Sequence, residues 1–120
     1  MISKSTNFYN LRFFDNYVIA EANEGAVIGN EEVKESLEMI FNHYNGKEFT
    51  LISNRRNNYS LNIDVYTLRL MKRLKALAVV SNDNLVREKA ISEQSHFDQS
   101  FAFFTELDDA IGWAESVFTP

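Results

Sequence analysis

The stretch Leu74-Lys75-Ala76-Leu77-Ala78-Val79-Val80 constrains this chain more than any other. It is almost continuously apolar and turns β-branched toward its end, the pattern of a strand buried on both faces. A strand of that kind needs neighbours on either side and helices above and below. The rest of the sequence is therefore read for elements that could cover it.

The N-terminal third alternates. Tyr9, Leu11 and Phe13 interleave with Asn10 and Arg12, the period of a half-buried strand. Asp15-Asn16 makes a turn, and Tyr17 to Ala22 returns as a second strand, giving a hairpin. Gly25 allows another turn, and Ala26-Val27-Ile28 reads either as a short third strand or as an extended approach to a helix. The period then changes. Asn30 can cap a helix whose first turn holds Glu31 and Glu32, where the dipole favours acids. Val33, Leu37, Ile40, Phe41 and Tyr44 form its apolar stripe, and Asn45-Gly46 ends it.

Phe49 to Ser53 is a strand, and the polar run from Asn54 to Ser60 is a loop. Asp64 can cap a helix to about Arg73, ahead of the Leu74 to Val80 strand. Ser81-Asn82-Asp83-Asn84 is a turn, in which Asp83 or Asn84 caps a helix to about Gln94. Phe101 to Phe104 is a short strand. Thr105 and Asp108 form an approximate capping box for a last helix striped by Leu107, Ala110, Ile111, Ala114 and Val117. The expected class is α/β: a mixed sheet with an N-terminal β-hairpin followed by α-β-α-β-α-β-α. No Pro, Gly or Ser cluster marks a linker, so residues 1–120 are read as a single domain.

Composition limits the chemistry. The 120 residues contain no cysteine, which removes disulfides, thiolate metal sites and a cysteine nucleophile. Twelve Lys+Arg against seventeen Asp+Glu give −5, a poor starting point for neutralising phosphates along nucleic acid, so no nucleic-acid partner is expected. The longest uninterrupted apolar run, Ala76 to Val80, is far short of the ~20 residues of a membrane span. Met1 to Asn7 lacks the apolar core of a secretory signal, and the expected location is the cytoplasm.

No catalytic constellation stands out. Gly46-Lys47 is followed by Glu48 and lacks the upstream glycine of a phosphate-binding loop, and Gly25 and Gly29 have the wrong spacing for a dinucleotide fingerprint. His43 falls near a helix C-terminus, where the dipole explains it, and His96 reads as a turn or cap residue rather than a metal ligand. Asp108-Asp109 sits in a first helical turn, where acids are ordinary. Phe8, Phe13, Phe14, Phe49, Phe101, Phe103 and Phe104 could line an apolar pocket, although core packing is the stronger reading. Trp113 lies beside the last stripe, suited to a sheet edge or a subunit contact.

In open α/β sheets ligands bind outside the carboxyl ends of the strands. Two loops leave such ends here, Ser53 to Ser60 and Ser81 to Asn84. The candidate ligand-binding residues are Asn54, Arg55, Arg56, Tyr59, Ser60, Ser81 and Asn82. The arginines offer charge, Tyr59 a stacking face and the asparagines donors and acceptors for a small anionic or apolar molecule. The competing reading is a solvated loop with asparagines serving turn chemistry.

Two stretches carry a resemblance. Met71-Lys72-Arg73-Leu74-Lys75-Ala76-Leu77-Ala78-Val79-Val80-Ser81 resembles the basic-then-apolar strand of STAS-like proteins of the SpoIIAA-like type. So does Phe101-Ala102-Phe103-Phe104-Thr105-Glu106-Leu107-Asp108-Asp109-Ala110-Ile111-Gly112-Trp113, with its aromatic strand, acidic helix start and tryptophan. The resemblance spans nearly the whole chain. It implies a mixed sheet covered by helices and a non-enzymatic role in regulation or ligand sensing; together with the missing motifs, the expectation is a regulatory or protein-interaction domain without cofactor or metal. Better-known relatives are anti-sigma-factor antagonists switched by phosphorylation of a serine in an Asp-Ser-Ser-Gly-like box. Here the comparable region reads Tyr59-Ser60-Leu61-Asn62-Ile63-Asp64, with no Ser-Gly pair, and Ser60 is only a loose positional counterpart. A protein partner and a homodimer are expected, the latter because a short aromatic edge and an off-stripe tryptophan offer surface to cover.

Overall fold

The computed structural model describes residues 1–56, 60–61 and 63–118. The first hairpin forms as the alternation requires: β2 (Tyr9–Phe13) and β3 (Tyr17–Ala22) pair antiparallel, with Leu11 opposite Ala20. A further strand precedes them. β1 (Ile2–Ser5) runs antiparallel to β2 at the sheet's edge, with all its residues exposed. Its sequence Ile-Ser-Lys-Ser carries little apolar signal, because neither face is covered, and Lys4 is the kind of residue that blunts an edge.

From β3 the chain crosses over three times. The helix α1 (Asn30–Tyr44) leads to β5 (Thr50–Asn54). A 3-10 turn (Ile63–Thr67) and α2 (Arg69–Arg73) lead to β7 (Ala76–Val80), and α3 (Asn84–Gln94) leads to β8 (Ser100–Phe104). The strands β3, β5, β7 and β8 are parallel neighbours, and the complete order is β1-β2-β3-β5-β7-β8. Because the strands are added in one direction and crossovers keep one hand, the connecting helices fall on a common face. The terminal helix α4 (Leu107–Val117) covers the other. Ala26-Val27-Ile28 resolves as a short strand, β4 (Val27–Ile28), paired parallel with β6 (Ser60–Leu61) in a separate two-stranded sheet.

The core splits accordingly. Leu11, Phe13, Val18, Ala20, Leu51 and Leu77 face α1 and α2, where they meet Val33, Leu37, Ile40 and Met71. Ile19, Ile52, Ala78 and Val80 face α4, where Ala110 and Ala114 let the helix approach closely. Residues Ala76–Val80 are all buried, as a strand covered on both sides must be. The single proton of the Tyr44 hydroxyl is shared between the carbonyls of Phe14 and Tyr17, 2.8 and 2.6 Å away, tying the end of α1 to the hairpin. Burial pushes that hydroxyl's pKa well above the ordinary tyrosine value.

Four local expectations are corrected. Gly29, not Asn30, is the α1 cap, and Asn30 begins the helix without a side-chain cap bond. The helix expected from Asp64 to Arg73 is broken at Leu68, whose ψ of 140° is extended. There the Leu68 amide bonds the Val65 carbonyl and the Thr67 hydroxyl bonds the Asp64 carbonyl, closing a tighter turn. The Thr105–Asp108 capping box does not form, since Glu106 is the cap and makes no side-chain bond. Strand boundaries shift by a residue or two, with β7 beginning at Ala76 and Leu74 buried just before it. The Asn45-Gly46 stop and the Asp83 cap are as read: Asn45 is left-handed at φ 48°, and Asp83 accepts from the Leu85 amide at 2.8 Å.

Candidate functional site

The sheet places the carboxyl ends of β5 and β7 side by side. Asn54 lies opposite Val80, and the Arg55 amide donates to the Val80 carbonyl at 2.9 Å, carrying the ladder one residue past β5. The Ser81 amide does the same toward the Phe104 carbonyl at 3.0 Å. Asn54, Arg55, Arg56, Ser81 and Asn82 therefore gather at one rim.

Their side chains divide. Arg55 is buried, and its guanidinium turns inward. Nη1 and Nη2 donate to the two carboxylate oxygens of Glu93 at 2.5 and 2.6 Å, while Nε donates to the Ser53 hydroxyl at 3.0 Å. The Tyr66 hydroxyl adds a third donor to Glu93, at 2.6 Å. Its charge is thus matched inside the protein instead of projecting to solvent. Arg56 is the exposed arginine, and it reaches back to Glu21 at 3.6 Å, an acid it shares with Arg12. Ser81 is buried as a turn residue whose hydroxyl accepts from the Asp83 amide at 3.1 Å, and Asn82 is exposed. Ser60 contributes backbone to β6, and Tyr59 lies outside the described residues.

Burial opposes ionisation of Glu93, but the hydrogen bonds and charge of Arg55, with help from Tyr66, prevail and hold its carboxyl below the usual range. Burial, then the adjacent Glu93 carboxylate, pushes the Tyr66 hydroxyl far upward. At neutral pH the cluster is therefore an ionised pair with a protonated phenol.

Behind this cluster a cavity of about 60 Å³ lies between α1, the 3-10 turn and the sheet. Val33, Leu37, Ile40, Leu51, Val65 and Leu77 give it apolar walls, and Ser53, Arg55 and Tyr66 give it a polar end. Ser36 faces it from α1 with a buried hydroxyl that has no hydrogen-bond partner among the described residues. Such a group costs free energy unless something in the cavity bonds to it. None of the seven phenylalanines considered as a pocket lining borders this space: Phe13 and Phe49 are buried in the core, and the others are half-buried.

Sequence reasoning missed Glu93, Tyr66 and Ser36. A signal for two of them existed. Val86, Ala90 and Glu93 share one face of α3, so Glu93 is an acid on its packed side. Ser36 interrupts the stripe between Val33 and Leu37 in the same way.

Among the described residues no group of three or more His, Asp or Glu is placed to hold a metal ion, and no helix is long and apolar enough to cross a membrane. No family model matches the sequence, and neither does any curated protein. The architecture does match a solved structure, that of an uncharacterised DUF3478-family protein from Shewanella loihica PV-4 with a SpoIIAA-like fold. The match has a TM-score of 0.59 at 15% identity and covers 92% of this chain and 98% of that one. This chain has a SpoIIAA-like fold. At that identity the SpoIIAA-like likeness is one of architecture, and the site must be argued from this chain's own residues.

Proposed function

We propose that this SpoIIAA-like chain is a non-catalytic regulatory domain that responds to a small ligand held between α1 and the sheet. The observation that carries the reading is the Ser36 hydroxyl, buried and unpartnered at the wall of an apolar cavity whose far end is polar. A largely apolar molecule with one hydrogen-bonding group would answer both features. The cavity's size, about 60 Å³, admits only a few water-sized groups as it stands. A longer, lipid-like chain would require α1 to move away from the sheet.

The absence of catalysis in this reading rests on the state of the ionisable cluster. Glu93 is held ionised and Tyr66 protonated, each engaged with a neighbour, so neither is poised to exchange a proton near neutral pH. Relative to the site for a small anionic or apolar molecule expected at the loops, the ligand locus moves inward. Of the residues at the strand-end rim, Arg55 alone also lines the cavity, and it is the link between the two.

Regulation would follow from the helix connection. Glu93 belongs to α3 and Tyr66 to the turn before α2, so a ligand that competes for Arg55 changes what holds these elements to the sheet. A protein partner would read that change, and a cytoplasmic setting goes with such a role. The test is thermal melting with short-chain alcohols and the matching carboxylates. A melting temperature that climbs with the concentration of one series is expected. No climb with any member of either series would remove the proposal.

A further inference from the structure

At the opposite end of the sheet, four cations converge on one groove. Lys47 follows α1, Lys72 and Arg73 close α2, and Lys75 precedes β7; together with Phe41, Phe49 and Glu48 they line a concavity of about 340 Å³. All four are exposed, and none has an ion-pair partner among the described residues. Arg73 lies over the Phe41 ring at 4.6 Å, and Phe41 meets Phe49 edge-on at 5.2 Å. The groove thus has an aromatic floor and a cationic rim.

Its charge is anomalous for this protein. The chain carries −5 overall, yet a third of its twelve basic residues line this one groove, against a single acid, Glu48. Helix dipoles explain part of it, since α1 and α2 both end here and cations favour helix C-termini. Two such ends supply at most about −0.5 each. Side chains totalling +3 therefore leave about +2 uncompensated, and like charges held together without counter-ions repel.

We propose that this groove binds a phosphate-bearing anion carrying more than one negative charge, a site separate from the cavity beneath α1. Dense charge in a small concavity suits phosphate oxygens better than the spaced carboxylates of an acidic peptide. Lysine serves such groups as a point charge, and the stacked Arg73 offers its planar donor fork. Free polyphosphates and anionic lipid headgroups share this chemistry.

The test is NMR titration of the amide spectrum with inorganic pyrophosphate at fixed ionic strength, alongside sedimentation with phosphatidic acid vesicles, whose phosphomonoester headgroup can carry a second charge, and a hexaglutamate control. Saturable shifts centred on residues 46–49 and 72–75 are expected, with affinity falling about tenfold or more in Lys72→Glu/Lys75→Glu. Both lysines are exposed, so that variant should keep the parent melting temperature; Lys72→Gln/Lys75→Gln, with a smaller loss, serves if it does not. Pyrophosphate binding alone assigns a soluble ligand, and vesicle binding adds or substitutes a headgroup. Shifts spread evenly over all surface cations, affinity unchanged by charge reversal, or equal binding of hexaglutamate would overturn the proposal. Each outcome leaves the alcohol and carboxylate melts untouched, so the two sites stand or fall separately.

Discussion

Arg55 and Glu93 lie 38 residues apart in sequence, yet their side chains meet through two parallel hydrogen bonds of 2.5 and 2.6 Å. One comes from the end of a central strand and the other from the last turn of α3. Both are buried, so the pair cannot be treated as a surface ion pair whose worth is screened away. Tyr66 completes it from a third element. Three connections across one sheet face are thereby fastened at a single point beside the cavity.

Removing one charge should expose the cost of the other. Glu93→Gln leaves the Arg55 guanidinium buried without its counter-ion, and unfolding by urea should show a loss of about 3–5 kcal/mol. An Arg55→Met/Glu93→Leu double variant should recover most of that loss, because well-packed apolar groups often replace a buried pair without penalty. A double variant no more stable than Glu93→Gln would contradict this.

Two pH limbs follow from the cluster. Glu93 has its folded-state pKa held below the unfolded value of 4.5, so its stabilisation is full above that pH and is lost as pH falls through the folded value. Tyr66 is shifted the other way. Its contribution is full below the unfolded value of 10.0 and declines as pH rises above it. Urea midpoints measured against pH should therefore fall on both sides, with the acid limb flattened in Glu93→Gln and the alkaline limb in Tyr66→Phe.

Thr50 and Ser36 provide a contrast. Each has a buried hydroxyl without a partner among the described residues, but of the two only Ser36 borders the cavity. Thr50→Val and Ser36→Ala should each be neutral or stabilising by about 1 kcal/mol in the protein alone. Only Ser36→Ala should diminish the stabilisation conferred by added alcohol. Equal effects of the two variants on alcohol binding would remove the role given to Ser36.

Among the described residues no strand pairs with the outer edge of β8, the last strand of the sheet, and Trp113 packs beside it against Phe104 with ring centres 5.9 Å apart. A homodimer that covers this edge is the proposal, with twice the chain mass expected from light scattering at micromolar concentration. A monomer mass there would remove it.

Much of the fold was legible because its signals are periodic. The hairpin alternation, the α1 stripe and the Ala76–Val80 run each have one physical solution, and β5 and β7 lie parallel and adjacent as the crossover order requires. The strand β1 was not legible, since its four exposed residues carry no buried face to pattern. The rim was also visible, because strand ends and polar loops mark it. The direction of Arg55 was not. Whether an arginine after a strand faces solvent or core depends on an acid that sequence separation hides, and that acid sits on α3. Charge composition counts both residues as surface, whereas the folded chain uses them as interior.

The cavity can be examined residue by residue through an amide NMR titration with 1-butanol. The expected result is a saturable set of shifts at Val33, Ser36, Leu37, Ser53, Arg55 and Tyr66, weakened in Ser36→Ala. Shifts confined to the exposed apolar side chains Leu85 and Ile91 on α3, with the cavity residues unmoved, would show that no ligand enters between α1 and the sheet.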